Sequence, residues 1–131
     1  RFVPQQGAET ILAEIGANDP DFNLRREPII IQRVRSAQNT TFVSMLESHG
    51  RYDGAAEQTV GSDSQIKSIS HESINGLDIV FVETLDGKKV ALAVSYDSDL
   101  EKKHAVKVGD QMLNWTGFAA RIDLPAGKAK R

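Results

Sequence analysis

The sequence predicts an all-β protein: an antiparallel β-sandwich of stacked sheets with at most one short helix. Three observations carry this. Residues 76–97 hold two apolar runs on either side of Asp86-Gly87, a pair that tolerates the positive φ angles of a hairpin turn. The other apolar stretches are short, alternate with polar residues, and are bounded by turn-forming residues. Helical spacing appears at one place alone, residues 8–15, and runs for only about two turns.

The hairpin over 76–97 organises the rest. A two-residue loop at Asp86-Gly87 sets Phe81 opposite Leu92, Ile79 opposite Val94, and Leu77 opposite Tyr96. The other face then pairs Val82 with Ala91 and Val80 with Ala93. Both faces are apolar in the middle, so the hairpin is expected to be covered on both sides at the centre of the sandwich. Phe81 and Leu92 are expected to be buried, each burial contributing about 2 kcal/mol.

Before the hairpin, residues 8–15 fit either a short helix, through Ile11, Leu12 and Ile15, or a strand through Thr10-Ile11-Leu12. Asn18-Asp19-Pro20-Asp21 is a turn by composition. Residues 27–34 read as a strand, with Ile29, Ile30 and Ile31 β-branched in a row and Pro28 at its start. Residues 36–39 turn the chain. Residues 40–48 read as the next strand, with Phe42, Ser44 and Leu46 on one face and Val43, Met45 and Glu47 on the other. Residues 49–54 read as a loop, and 65–73 as a weaker strand with Ile66 and Ile69 partly buried. Asn75-Gly76 is a second hairpin signal.

After it, residues 97–103 are charged and expected to be exposed. Residues 104–108 alternate, Gly109-Asp110 allows a tight turn into 111–115, and 117–124 form the last strand. Residues 125–131 are a small basic tail expected to fray. At 131 residues the chain reads as one domain, 1–131. It starts abruptly at Arg1-Phe2-Val3-Pro4, as a piece of something larger would, although a processed start would look the same.

Composition excludes several chemistries. The formal net charge of −2 gives no electrostatic case for nucleic acid. With no cysteine there is no disulfide, thiol nucleophile or thiolate-bound zinc. No run approaches the roughly 18 apolar residues of a membrane-spanning helix. His49, His71 and His104 lack metal-ligand spacing such as HxH or HExxH, so no metal site is expected, and His71 and His104 read as surface or hydrogen-bonded residues.

The candidate site lies at the end of the run over 40–48. His49 follows Glu47 into a loop that also holds Arg51 and Tyr52, and strand-end loops are where β-sandwiches bind ligands. Glu47 shares a face with Val43 and Met45 and needs a partner, for which Arg25 and Arg26 are the candidates. A network of hydrogen bonds tying two loops together would explain the same residues. Tyr52 and Trp115 are the aromatic rings open to sugar stacking. Trp115 lies in a run that reads as core, and Tyr96 belongs to the central hairpin.

Two segments carry a family resemblance. Gly16-Ala17-Asn18-Asp19-Pro20-Asp21-Phe22-Asn23-Leu24-Arg25-Arg26-Glu27-Pro28 is the first. Phe42-Val43-Ser44-Met45-Leu46-Glu47-Ser48-His49-Gly50-Arg51-Tyr52, followed by Glu57, is the second. Together they resemble the C-terminal region of oligoalginate lyases in the heparinase II/III-like group of polysaccharide lyases. The resemblance implies an upstream α/α toroid and catalytic sheet, and an acidic polysaccharide cleaved by β-elimination. It implies a bacterial protein in the periplasm or outside the cell. The tyrosine, histidine and asparagine that such enzymes use, and their structural zinc, lie upstream, so no catalytic residue and no cofactor is expected in this chain. It favours a strand over a helix at 9–15. Substrate-contact candidates are Glu47, His49, Tyr52 and Arg25. The rival readings are a carbohydrate-binding module, which needs an exposed aromatic platform from a composition only 6% aromatic, and a protein-interaction domain.

Overall fold

Ten strands and no helix make up the described part of the chain, which in this computed structural model is residues 1–3, 7–16, 26–48 and 50–125. The chain divides into two compact units, Val3–Phe42 and Arg1–Phe2 with Val43–Arg131.

The first unit is an antiparallel ribbon. Strand β1 (Ala8–Gly16) pairs with β2 (Arg26–Val34), from Ala8 opposite Val34 to Gly16 opposite Arg26. Residues 8–15 are therefore extended and not helical. The helical spacing of Ile11, Leu12 and Ile15 is outweighed by a matching β-branched run on β2, where Ile11 faces Ile31 and Leu12 faces Ile30. Glu9 faces Arg33 and takes bonds from Arg33 Nη2 at 2.5 Å and Arg35 Nε at 2.8 Å. These two guanidinium groups, Arg35 first, hold the Glu9 carboxyl below its ordinary range. The expected turn at 18–21 lies outside the described residues.

In the second unit, β3 (Arg51–Asp53) and β4 (Gln58–Val60) form a small hairpin, with Tyr52 opposite Thr59. The expected loop over 49–54 is thus partly a strand. Asp53 Oδ1 accepts the amides of Ala55 and Ala56, and this side-chain turn folds the chain back tightly enough for a ladder to start.

The expected strand over 40–48 does not form. Among the described residues its pairing is one bridge, Phe2 opposite Ser44, flanked by two bonds between Arg1 and Met45. Alternation alone cannot make a strand where a partner edge is missing. Leu46 stands fully exposed and Val43 is buried.

The main body is a four-stranded antiparallel sheet in the order β10-β7-β6-β5. Its members are β5 (Ile66–Ile74), β6 (Leu77–Thr84), β7 (Lys89–Ser95) and β10 (Ala119–Leu124). A separate hairpin of β8 (Lys103–Val108) and β9 (Gln111–Thr116) packs on one face. Asn75 and Gly76 make the β5–β6 turn with φ of 52° and 77°, as the Asn-Gly signal requires.

The β6–β7 register differs from the expected one by a residue. Glu83 faces Lys89, Phe81 faces Ala91, Ile79 faces Ala93 and Leu77 faces Ser95. The Thr84 amide donates to the Lys88 carbonyl and Gly87 N–H to the Thr84 carbonyl, so the loop is Leu85-Asp86-Gly87 with Gly87 at φ 86°. Asp-Gly serves this three-residue turn as well as the two-residue one, because both need a glycine-like φ at the same place.

The slip sorts the faces. Leu77, Ile79, Ala91 and Ala93 point inward and pack with Val106, Val108, Leu113 and Trp115. Ile74, Phe81, Ala120, Ile122 and Leu124 complete the core from the rim. On the outer face Asp78 and Val82 are buried, whereas Leu92 and Val94 are 40% and 43% exposed. The hairpin is covered fully on one side and only partly on the other, which corrects the expectation for Leu92.

Candidate functional site

Glu47 binds one backbone amide and one hydroxyl. Its Oε1 accepts Gln65 N–H at 2.6 Å and its Oε2 accepts the Ser64 hydroxyl at 2.5 Å. Arg1 joins the same place, donating to the Lys67 carbonyl at 3.0 Å and to Ser64 Oγ at 3.4 Å. The carboxylate therefore ties residues 43–48 to the entrance of β5. A buried or half-buried carboxylate with two short donors is well satisfied in that role. Tyr52 stands on β3 with 70% of its surface exposed. His49 and Arg25 lie outside the described residues.

The aromatic residues fall differently from the sequence reading in one case. Trp115 is in the core, 8% exposed, with its indole N–H on the Gly117 carbonyl at 3.0 Å. Tyr96 leaves the core: past the end of β7 it is 65% exposed. Residues 94 and 96 share the outer face with Asp78, a consequence of the one-residue slip.

There the Tyr96 hydroxyl donates to Asp78 Oδ2, and Asp78 Oδ1 accepts from His71 Nε2 at 2.7 Å. Asp78 is 6% exposed, at the second position of β6 and followed by the apolar run Ile79 to Val82. A buried carboxylate is tolerated when donors surround it, and the chain His71–Asp78–Tyr96 supplies them from β5 and from beyond β7. The sequence signal was Asp78 itself. A charge inside Leu77-Asp78-Ile79-Val80-Phe81-Val82 demands partners, and His71 and Tyr96 on the same outer face supply them.

His104 is not on the surface, which corrects that part of the reading of it. It is buried, stacked on Trp115 with ring centres 4.7 Å apart and an interplanar angle of 22°. Its Nε2 has no partner among the described residues. Beyond it, Lys102 Nζ donates to Asp97 Oδ2 at 2.5 Å. Lys102, with the Asp99 amide behind it, holds the Asp97 carboxyl below its ordinary range, and Asp97 in turn raises Lys102.

Chemically these groups brace and bind. β-Elimination or hydrolysis needs an acid and a base within reach of one substrate atom. The Tyr96 hydroxyl is directed at a buried carboxylate and the Glu47 oxygens at a backbone amide and a serine. Among the described residues no three of His, Asp or Glu converge in a way that would hold a metal ion.

Comparison with known proteins agrees with a part of a larger enzyme class. Residues 85–122 match the family described as exo-oligoalginate lyase-like, C-terminal domain. Over 120 residues the chain is 44% identical to an exo-oligoalginate lyase of Saccharophagus degradans (strain 2-40), covering 92% of this chain and 16% of that protein. Over 130 residues it is 39% identical to an alginate lyase of Stenotrophomonas maltophilia (strain K279a), covering 99% of this chain and 18% of that protein. The chain thus spans less than a fifth of the length of either relative.

Proposed function

We propose that this chain is the C-terminal β-region of a bacterial polysaccharide lyase that cleaves alginate-type, uronate-containing chains by β-elimination, and that its own part is structural and not catalytic. The observation that carries the reading is the pair of coverages: nearly all of this chain is similar to two alginate lyases, yet it accounts for 16% and 18% of them. The site geometry supports the division of labour, since Glu47 is bonded to Ser64 and Gln65, and Tyr96 and His71 to Asp78. In this reading an α/α toroid and a catalytic sheet precede the chain and carry the acid, the base and any structural zinc. The two local motifs at 16–28 and 42–57 favour the heparinase II/III-like group, and with it a periplasmic or secreted setting.

The test is an assay of the unsaturated uronate product by its ultraviolet absorbance. The 131-residue chain should give no rise on alginate, while a longer polypeptide that includes the preceding region should. Turnover by the pure chain would overturn the assignment of a structural role.

Glu47, His49, Tyr52 and Arg25 are each proposed as substrate-contact candidates in the longer enzyme. The bonds of Glu47 to Ser64 and Gln65 favour the alternative, a structural tie. His49→Ala or Arg25→Ala in the longer enzyme should lower kcat/KM with little change in Tm if they meet substrate. A fall in Tm with normal kinetics of the folded fraction assigns them to the tie.

A further inference from the structure

We propose that the end of the sandwich around Tyr96 is an oligosaccharide-binding groove, with the Tyr96 ring as a stacking platform and Lys102 as the cation for a sugar carboxylate. The acidic character of the ligand rests on the lyase reading above; the platform rests on geometry.

Two depressions flank the ring and share residues 95–98. One, of about 500 Å³, is polar and is lined by Asn75, Lys102 and His104. The other, of about 420 Å³, is lined by Leu100 and Phe118. Tyr96 stands where they meet, so a chain of sugar rings laid along the groove passes over it. A pyranose presents a face of C–H groups and a rim of oxygens. An aromatic ring takes the face, and amide and ammonium donors beside it take the rim.

The platform is pre-organised. Tyr96 is bonded at its hydroxyl to Asp78, which His71 holds from the neighbouring strand. The ring therefore keeps its place without a ligand, and stacking costs little ordering entropy. Its backbone is fixed too, since Tyr96 N–H donates to the Gly76 carbonyl at 3.1 Å. Lys102 already gives one donor to Asp97, but an ammonium has three, so it can hold that carboxylate and a second one. Phe118 and Leu100, 52% and 63% exposed, extend the apolar floor on the other side.

The experiment is an NMR titration of the 131-residue chain with an alginate trisaccharide and, separately, a neutral cellotriose. Amide shifts from alginate should map to Gly76, residues 95–102 and Phe118, and should weaken as salt is raised. Tyr96→Ala should bind about tenfold more weakly. Lys102→Gln leaves the Tyr96–Asp78 bond intact. It should lose affinity for alginate severalfold, so the proposal does not depend on Tyr96→Ala folding well. Shifts from neither sugar, or shifts elsewhere on the surface, overturn the groove. Binding of cellotriose alone overturns the acidic specificity. Protection of the groove amides from hydrogen exchange in the longer, sugar-free polypeptide would mean that protein covers it, which also overturns the proposal. None of these results bears on whether the longer polypeptide makes unsaturated product, so the lyase reading stands or falls separately.

Discussion

The hydroxyl of Tyr96 donates to a carboxylate, Asp78, that is buried near the start of β6 in the main sheet. One side chain thus faces solvent with its ring and the interior with its oxygen. Removing the oxygen alone, as Tyr96→Phe, leaves Asp78 with one donor fewer in a buried place. The expected cost is about 1–3 kcal/mol, read from the midpoint of denaturant unfolding. A change within about 0.5 kcal/mol would show that water replaces the hydroxyl and that the bond does not brace the sheet.

The one-residue slip between β6 and β7 is testable by a pair of substitutions. Ile79 is fully buried and Leu92 is 40% exposed. Ile79→Ala should cost about 2–5 kcal/mol. Leu92→Ala should cost about 1 kcal/mol or less, because much of its side chain already meets water. Similar large losses at both positions would favour the two-residue loop and a hairpin covered on both faces.

Asp86 should titrate far below an ordinary aspartate. The Lys88 ammonium, at 2.6 Å, and then the Thr84 hydroxyl lower its carboxyl from 3.8 to about 2. A depressed folded-state value stabilises the fold above the unfolded value and loses that contribution as pH falls through the folded one. The window is therefore about pH 4 down to about pH 2. The carboxyl carbon of Asp86, followed by NMR, should show its midpoint near the lower end. A midpoint near 4 would mean that the loop's ion pair is not populated. The pair is exposed, so added salt should move the midpoint upward.

Glycines at positive φ separate two kinds of constraint. Gly117 has φ 88°, and a Cβ there would lie 3.1 Å from the Leu100 carbonyl oxygen. Gly109 has φ 56° and open space around it. Gly117→Ala should cost more than about 1 kcal/mol from backbone strain and crowding together. Gly109→Asn should be close to neutral, since asparagine tolerates the left-handed region. Equal melting temperatures for the two variants would refute the close approach of residues 100 and 117.

Much of the fold was legible because its turns are written in single residue types. Asn75-Gly76 and Gly109-Asp110 give the β5–β6 and β8–β9 turns, and the alternation from His104 to Val108 gives β8 with its buried face. The failures share a cause. Asp86-Gly87 announces a turn but not its length, and one residue of length turns β7 over relative to β6. Residues 40–48 alternate like a strand, but a ladder needs an edge to pair with, and among the described residues the backbone pairing is with Arg1 and Phe2. The site suffered from the same ambiguity. Tyr96 read as a core residue opposite Leu77, and its exposure follows only when Ser95 takes that place. Glu47 reads from the sequence as a carboxylate in need of a partner, and two of its bonds go to Ser64 and Gln65, which no local pattern marks.

Strand β10 reaches β7 only after residues 96–118 have been laid down between them, whereas β5, β6 and β7 are joined by short turns. Loop closure makes the distant pairing slower to gain than the local ones. The β5–β6–β7 meander is thus the natural nucleus, and the C-terminal strand is a late arrival that closes over a structure already formed. Destabilising substitutions at Ile79 or Ala91 are expected to slow folding, while those at Ile122 should chiefly hasten unfolding. The last strand in the sequence would then act as the latch that sets the lifetime of the folded state and not the speed of its formation.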